Sequence, residues 1–188
     1  NYRTDEYLLW QVFARRFSYP SLMFVGLLFN LGIWLDKLMF WFYPVTGQAV
    51  IGPLRASVIY DLPVFLSYLC VIPGMAVFLL RIETDFVEYY DQFFNAVRTG
   101  VTLKYIEESR DMMVRSVRTG LYEILKIQAV VTLLIFAFGD KLLRLIGISV
   151  LYLPLLHIDV ISASLQVLFL GILNIFFYLD RRGTVLAL

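Results

Sequence analysis

The sequence predicts an all-α, polytopic membrane protein with about four transmembrane helices. The first observation is the low charge content, because 16% of the 188 residues are Asp, Glu, Lys or Arg, whereas soluble domains carry about 25%. The second is a mean hydropathy of +0.76. The third is a series of apolar runs, each long enough to cross a hydrocarbon layer about 30 Å thick as a helix.

The first transmembrane hairpin is predicted at residues 19–80. Apolar runs at 19–43 and 57–80 flank a segment that contains glycines and a Gly-Pro pair, which indicates a turn. Proline lacks the backbone N–H that a helix interior requires, so we expect the second run to bend at its two prolines. These prolines are Pro63 and Pro73.

Amphipathic helices are predicted on both sides of this hairpin. Residues 1–18 repeat apolar side chains at helical spacing, which indicates a helix lying on the membrane or packed on a further soluble part. Residues 81–120 are rich in charge and predict two helices separated by Gly100, which lie on the membrane or receive a partner. An aromatic stripe on the first of them serves either internal packing or partner docking. It consists of Phe86, Tyr89, Tyr90, Phe93 and Phe94.

A second transmembrane hairpin is predicted at residues 121–178. Its spans are 121–138 and 151–178, with a turn at 139–141 and a short apolar bridge between them. Residues 179–188 are the end of the segment. The chain starts without methionine and stops without a polar tail, so we expect it to be an internal piece of a longer protein.

The distribution of basic residues predicts the orientation of the hairpins. If Arg15 and Arg16 face the cytoplasm, twelve basic residues fall in inside segments and three in outside turns. The positive-inside rule strongly favours this arrangement. Both ends of the segment are then cytoplasmic.

Charged residues inside the apolar runs identify the candidate functional site. Each ionisable side chain at membrane depth costs roughly 3 kcal/mol unless it is paired or faces water. Three carboxylates lie at similar predicted depth and could line one water-filled, anionic vestibule, namely Asp36, Asp61 and Asp159. Other candidates for the substrate path are Lys37, Arg55, Tyr60 and His157, with Trp41 and Tyr43 as aromatic residues near the exit. The alternative is that the pairs Asp36–Lys37 and Asp61–Arg55 are local interface charges.

The sequence gives little support for an enzyme. One histidine and one cysteine are too few for a zinc cluster, and we expect no metal and no cofactor. Neither a phosphate-binding loop, nor a nucleophile elbow, nor a dinucleotide fingerprint is present. With a net charge of only +1, we also expect no nucleic-acid partner.

Several long motifs resemble the PelG family of inner-membrane proteins for Pel exopolysaccharide export. They are AVIGPLRASVIYD at 49–61, IPGMAVFL at 72–79, RIETDFVEYYD at 81–91, GLYEI at 120–124, LYLPLL at 151–156 and NIFFYLDRR at 174–182. The resemblance implies a flippase-like transporter with about twelve spans in two six-helix lobes. This chain would be part of one lobe.

The resemblance also implies a function and partners. The preferred hypothesis is a transporter subunit that moves a growing polysaccharide to the periplasm. The alternative is a membrane scaffold that docks a cytoplasmic glycosyltransferase and the other membrane subunits of the same synthase complex through residues 81–120. The expected partners are therefore the polysaccharide, membrane lipid and these subunits.

Overall fold

The structure is a computed structural model and describes residues 20–188, so the predicted lead-in helix at 1–18 lies outside the described residues. Its elements in chain order are α1 (Pro20–Phe42), β1 (Gln48–Ile51), β2 (Leu54–Ala56), α2 (Val58–Leu69), α3 (Ile72–Phe78), a π-helix (Leu79–Phe86), α4 (Val87–Thr99), α5 (Leu103–Ile146), a 3-10 turn (Val150–Tyr152), α6 (Leu153–Tyr178) and α7 (Arg182–Ala187).

Four helical segments within the described residues are long and apolar enough to cross a membrane. They are Pro20–Phe42, Val58–Thr99, Leu103–Ile146 and Val150–Tyr178. At 1.5 Å per residue, even the shortest reaches about 35 Å, which exceeds the hydrocarbon thickness. The predicted fold class, a polytopic helical membrane protein, is confirmed.

A small β-hairpin joins α1 to α2 where the sequence predicts only a turn. Strands β1 and β2 are antiparallel and pair Gln48 with Ala56 and Ala49 with Arg55. Gly52 has a φ of +57°, a left-handed conformation that glycine adopts without a steric penalty. The hairpin satisfies backbone hydrogen bonds between two helix ends that an irregular loop would leave to water.

The second segment continues well past its predicted end at residue 80. It runs through α2, α3, the π-helix and α4 over 42 residues. Its helix is interrupted at Cys70 and Val71, directly before Pro73, whereas Pro63 lies within α2 without ending it. The π-helix begins at Leu79, so the predicted boundary between span and cytoplasmic helix is not a helix end.

The predicted turn at residues 139–141 is wrong. Helix α5 is 44 residues long and continues through residues 139–141. It also joins the predicted cytoplasmic helix to the third span. Gly139 is buried, and a Cβ atom there would stand 3.0 Å from Leu153 and 3.6 Å from His157. Glycine is used here for close helix contact, as is common between membrane helices, and does not mark a turn.

The core lies mainly between α5, α6 and the long second segment. Its largest cluster is centred on Phe78, Ile82 and Phe86, which pack on Ile124 of α5 and Val167 of α6. A second cluster joins Leu66 to Leu143, Leu156 and Val160. Helix α1 packs at its start through Val25 against Leu173 and Val185 of α6 and α7. Near its other end, Phe40 stacks on Tyr60 of α2, so an opening is left along the middle of α1.

Candidate functional site

Helices α1, α2 and α6 line an open cavity of about 600 Å³, which we call the α1–α2–α6 cavity. Its lining is mostly apolar and includes Phe29, Ile33 and Phe169. Carboxyl, hydroxyl and amide groups also reach it from the same helices, and two of the three predicted carboxylates are among them. The polar lining residues are Asp36, Tyr60, Ser67, Tyr68, Asp159, Ser162 and Gln166.

Asp36 is fixed at the cavity by groups on both α1 and α2. The Tyr60 hydroxyl donates a hydrogen bond to Asp36 Oδ2, and the backbone N–H of Lys37 donates to Asp36 Oδ1 over 2.8 Å. The Tyr60 ring is 2% exposed and stacks on Phe40 with centroids 4.2 Å apart. Because the phenol ring is held by this packing, it sets the position of the carboxylate.

Asp159 reaches the same cavity from α6. Its Oδ2 atom is buried and accepts no hydrogen bond from any residue in 20–188. A buried polar atom without a partner is costly, and such atoms in native proteins often mark sites that bind a ligand, an ion or water. The cavity therefore brings together two acidic groups from opposite helices, one held by a phenol and one with spare acceptor capacity.

Asp61, the third predicted carboxylate, does not line the cavity. Its Oδ1 accepts a 2.8 Å hydrogen bond from the Trp41 indole, and its Oδ2 accepts a 2.8 Å bond from the backbone N–H of Ser57. Asp61 lies in the first turn of α2, where unpaired amides and the helix dipole favour a carboxylate. Of the three carboxylates predicted to line a vestibule, two line this cavity, and the water-filled vestibule itself stays a prediction.

Lys37 and Arg55 contact aromatic rings, and no ion pair within residues 20–188 joins either of them to Asp36 or Asp61. Lys37 Nζ lies 5.0 Å from the Trp34 ring centre and 4.8 Å from that of Tyr68. Arg55 lies over Phe42 at 5.3 Å and donates to the Trp41 carbonyl. The alternative, in which the carboxylates are local interface charges, therefore suits Asp61 better than Asp36. Asp61 is held by two nearby hydrogen-bond donors and does not line the cavity.

The remaining predicted site residues lie outside the cavity lining. His157 packs on Phe136 of α5, and its buried Nε2 has no hydrogen-bond partner within 20–188. It precedes Asp159 by two positions, which places the two side chains about 200° apart around the helix. Tyr43 is 59% exposed, and Trp41 is engaged with Asp61.

The aromatic stripe on the π-helix and α4 is largely packed inside the chain. Phe86 is 1% exposed and lies in the main core cluster, against which Tyr89, Tyr90 and Phe93 are partly buried. Phe94 is 38% exposed. In this arrangement Phe86 cannot contact a partner, so a docking role for the stripe would fall on its distal end.

A buried polar group that sequence inspection missed joins the interruption in the second segment to α5 and α6. Gln128, 2% exposed, donates to the Cys70 carbonyl over 3.1 Å and to Ser164 Oγ over 3.0 Å. The Cys70 carbonyl lies where the helix breaks before Pro73, and a carbonyl in lipid needs a donor. A lone glutamine in an apolar run is the sequence feature that could have identified it.

Two further polar links lie near the predicted cytoplasmic side. Arg81 pairs with Asp85 and, across to α5, with Glu123. Glu83 accepts a hydrogen bond from Asn174 of α6. Within residues 20–188, no group of three His, Cys, Asp or Glu side chains could hold a metal ion.

Comparison with known proteins identifies the family of the chain. The profile of the PelG family, described as "Putative exopolysaccharide Exporter (EPS-E)", matches residues 1–188, the whole chain. The chain belongs to the PelG family. No curated protein and no solved structure matches the chain. Membership in PelG confirms the predicted resemblance and places the cavity and its two carboxylates in a member of an exopolysaccharide exporter family.

Replacing Trp41 with phenylalanine should loosen the contact between α1 and α2 in this PelG chain. The change keeps an aromatic ring but removes the donor to Asp61, which leaves a half-buried carboxylate oxygen without that bond. We expect a loss of stability of about 1–2 kcal/mol, measured by thermal unfolding in detergent. The control is Trp34→Phe, which alters the ring in edge contact with Trp41 and removes no hydrogen bond recorded within 20–188. Equal melting temperatures for the two variants would contradict this role of Trp41.

Proposed function

We propose that this chain is part of an inner-membrane transporter that exports a growing Pel-type exopolysaccharide, and that the α1–α2–α6 cavity borders the export path. The observation that carries the proposal is the convergence of Asp36, Tyr60 and Asp159 on one cavity between membrane helices. Acidic groups inside a membrane protein usually mark a substrate or ion pathway.

The composition of the cavity suits a sugar polymer. Its volume of about 600 Å³ lies within the range of ligand sites, roughly 300–1,000 Å³. Carboxylate, hydroxyl and amide groups can exchange hydrogen bonds with sugar hydroxyls, while Phe29, Tyr68 and Phe169 supply apolar surface. Asp159 has an acceptor oxygen that no group in 20–188 uses.

The predicted orientation places the cavity nearer to one side of the membrane. Asp36 lies near the end of α1, Tyr60 near the start of α2 and Asp159 near the start of α6. With both ends of the segment cytoplasmic, as the basic residues favour, these groups lie toward the periplasmic side. They would then contact polymer late in its passage.

The proposal is tested by secretion from cells whose only copy of the full-length protein carries Asp36→Asn or Asp159→Asn. Each change keeps the size of the side chain and removes its charge. We expect secreted polymer to fall on the order of tenfold, the factor that corresponds to about 1.4 kcal/mol of lost interaction. The control is Asp91→Asn, an exposed carboxylate on α4. Normal secretion by both cavity variants, at normal membrane levels, would remove the cavity from the path.

A second role is favoured by the continuity of α5. One continuous helix of 44 residues contains both the third span and residues 103–120, so the segment before the span extends that span and would project from the bilayer. Leu103 lies about 27 Å along the helix from residue 121. We propose that the α4–α5 hairpin docks the cytoplasmic glycosyltransferase or a membrane subunit of the same complex.

This second role is tested by membrane fractionation. Cells are prepared in which residues 92–106 of the full-length protein are replaced by a glycine-serine loop of equal length. We expect the glycosyltransferase to shift from the membrane fraction to the soluble fraction, while the exporter stays in the membrane. Unchanged recovery with the membrane would exclude this hairpin as its dock.

A further inference from the structure

The end of the α4–α5 hairpin, residues 92–106, exposes apolar side chains outside the spans that the sequence predicts. We call this segment the hairpin tip. Apolar residues exposed on the spans are expected to face acyl chains, but those at the hairpin tip are separated from the third span by up to about 27 Å of helix. The exposed fractions are 49% for Val97, 41% for Val101, 71% for Leu103 and 48% for Tyr105. A cluster of this kind in water usually marks a binding surface.

The only charged residues in the hairpin tip are basic. Between Asp91 and Glu107 the chain contains no acidic residue, whereas it contains Arg98 and Lys104. Both are exposed, and neither forms an ion pair with any residue in 20–188. The tip therefore presents positive charge beside its apolar residues, and a partner of opposite charge would complement it.

A groove of about 640 Å³ runs between the two helices at the tip. Ala96, only 4% exposed, forms its floor, and its sides carry Gln92, Asn95, Thr102 and Tyr105. Gly100 turns the chain with a φ of +67°, so α4 and α5 meet side by side there. The groove is open at the surface and mostly apolar, and the side chains of Asn95, Thr102 and Tyr105 at its sides can donate hydrogen bonds to carboxylates.

We propose that the hairpin tip binds an acidic segment with an apolar face on a water-soluble protein. The apolar face covers Val97, Val101 and Leu103, and the carboxylates of the segment approach Arg98, Lys104 and the donors of the groove. The inference builds on the second role proposed above, since it assigns the chemistry of the partner that the hairpin tip docks. It does not depend on the export path.

The experiment uses the full-length protein in cells, with a photo-crosslinking amino acid at Val97 or Leu103. Control positions are Leu133, 65% exposed within the third span, and Glu108, exposed on α5 beyond the tip. We expect the tip positions to form an adduct with a water-soluble protein, and mass spectrometry of the adduct to place the contact in an acidic, partly apolar segment. Leu133 should yield lipid adducts.

Charge variants decide whether this adduct reflects the proposed contact. The double variant Arg98→Glu with Lys104→Glu should lower the adduct on the order of tenfold, which corresponds to about 1.4 kcal/mol. The double variant Arg98→Lys with Lys104→Arg keeps the charge and should preserve it. Reversing the acidic residues of the captured segment should restore the adduct with the first variant.

Four results would overturn the proposal: adducts with lipid at the tip, adducts with a second copy of the chain, no adduct at the tip, or an adduct insensitive to charge reversal. If the captured protein is not the glycosyltransferase, and that enzyme stays on the membrane when the tip is replaced, docking of the glycosyltransferase by the hairpin fails while the chemistry assigned to the tip holds. Membrane levels of each variant show that it inserts normally.

Discussion

Replacing Gly120 with leucine is expected to separate α5 from the second segment and to destabilise the protein by about 3 kcal/mol. Gly120 is buried, and a Cβ atom there would stand 3.0 Å from Ile82 Cδ1 and 3.2 Å from Arg81 Cβ. Ile82 has no exposed surface, so its side chain has little room to move away. A leucine side chain requires several more atoms of space than the Cβ alone.

The matched control for this prediction is Gly26→Leu. Gly26 also lies in a membrane helix, but a Cβ atom there meets nothing within 4 Å. Thermal unfolding of the full-length protein in detergent micelles gives the comparison. We expect the Gly120 variant to melt at a clearly lower temperature and the Gly26 variant to match the wild type. Similar losses for both would mean that glycine flexibility matters at Gly120, and close contact does not.

The second large loss of stability is expected at Gln128. Its amide links the Cys70 carbonyl to Ser164, and we call this link the Gln128 bridge. Gln128→Ala removes the donors to the Cys70 carbonyl and Ser164, and leaves that carbonyl unpaired in an apolar environment. Gly74→Ala should also act through Gln128, because a Cβ atom at Gly74 would stand 2.3 Å from Gln128 Oε1 and displace the amide. We expect each single change to cost about 2 kcal/mol, the typical penalty range for an unsatisfied buried polar group.

A double-mutant cycle separates this bridge from simple packing. If both changes act on the same amide, the double variant should lose much less stability than the sum of the two single losses, with a coupling energy above 0.5 kcal/mol. The cycle is measured by thermal unfolding of the full-length protein, with secretion as a second readout. Additive losses would show that Gly74 and Gln128 contribute independently.

The Gln128 bridge also affects the proposed export path, because it holds a segment that adjoins the cavity. It holds the interruption at Cys70 and Val71 between α5 and α6, while Ser67 and Tyr68, a few residues earlier, line the α1–α2–α6 cavity. A shift of the interruption would move that wall. We therefore expect Gln128→Ala to lower secretion as well as stability.

Much of the helical architecture could be predicted from the sequence because lipid imposes a simple rule. A spanning segment must satisfy its backbone internally and must be apolar over about 20 residues, so hydropathy alone identifies it. The start of the long helices near residues 20, 58 and 151 was predicted in this way, as was the amphipathic character of 81–120. The boundaries inside the continuous helices were not, because a change from apolar to charged residues marks a change of solvent and does not end a helix.

The candidate site was predictable only in part. Charge at membrane depth identified Asp36, Asp61 and Asp159, but it could not distinguish a carboxylate that caps α2 from one that lines a cavity. Tyr60 was predicted as a path residue, whereas its role in holding Asp36 depends on the contact of α1 with α2. Glycines were also ambiguous, since Gly100 ends a helix while Gly139 lies inside one.

The sequence by itself determined that this chain is a multi-pass membrane protein of the PelG type, because hydropathy and long motifs are local properties of the chain. Only the tertiary structure decided which polar groups meet: Asp36 and Tyr60 with Asp159, Asp61 with Trp41, and Gln128 with the broken helix. These pairings join residues 20 to more than 100 positions apart. Helix rotation and tilt bring them together, and neither is encoded in any single segment.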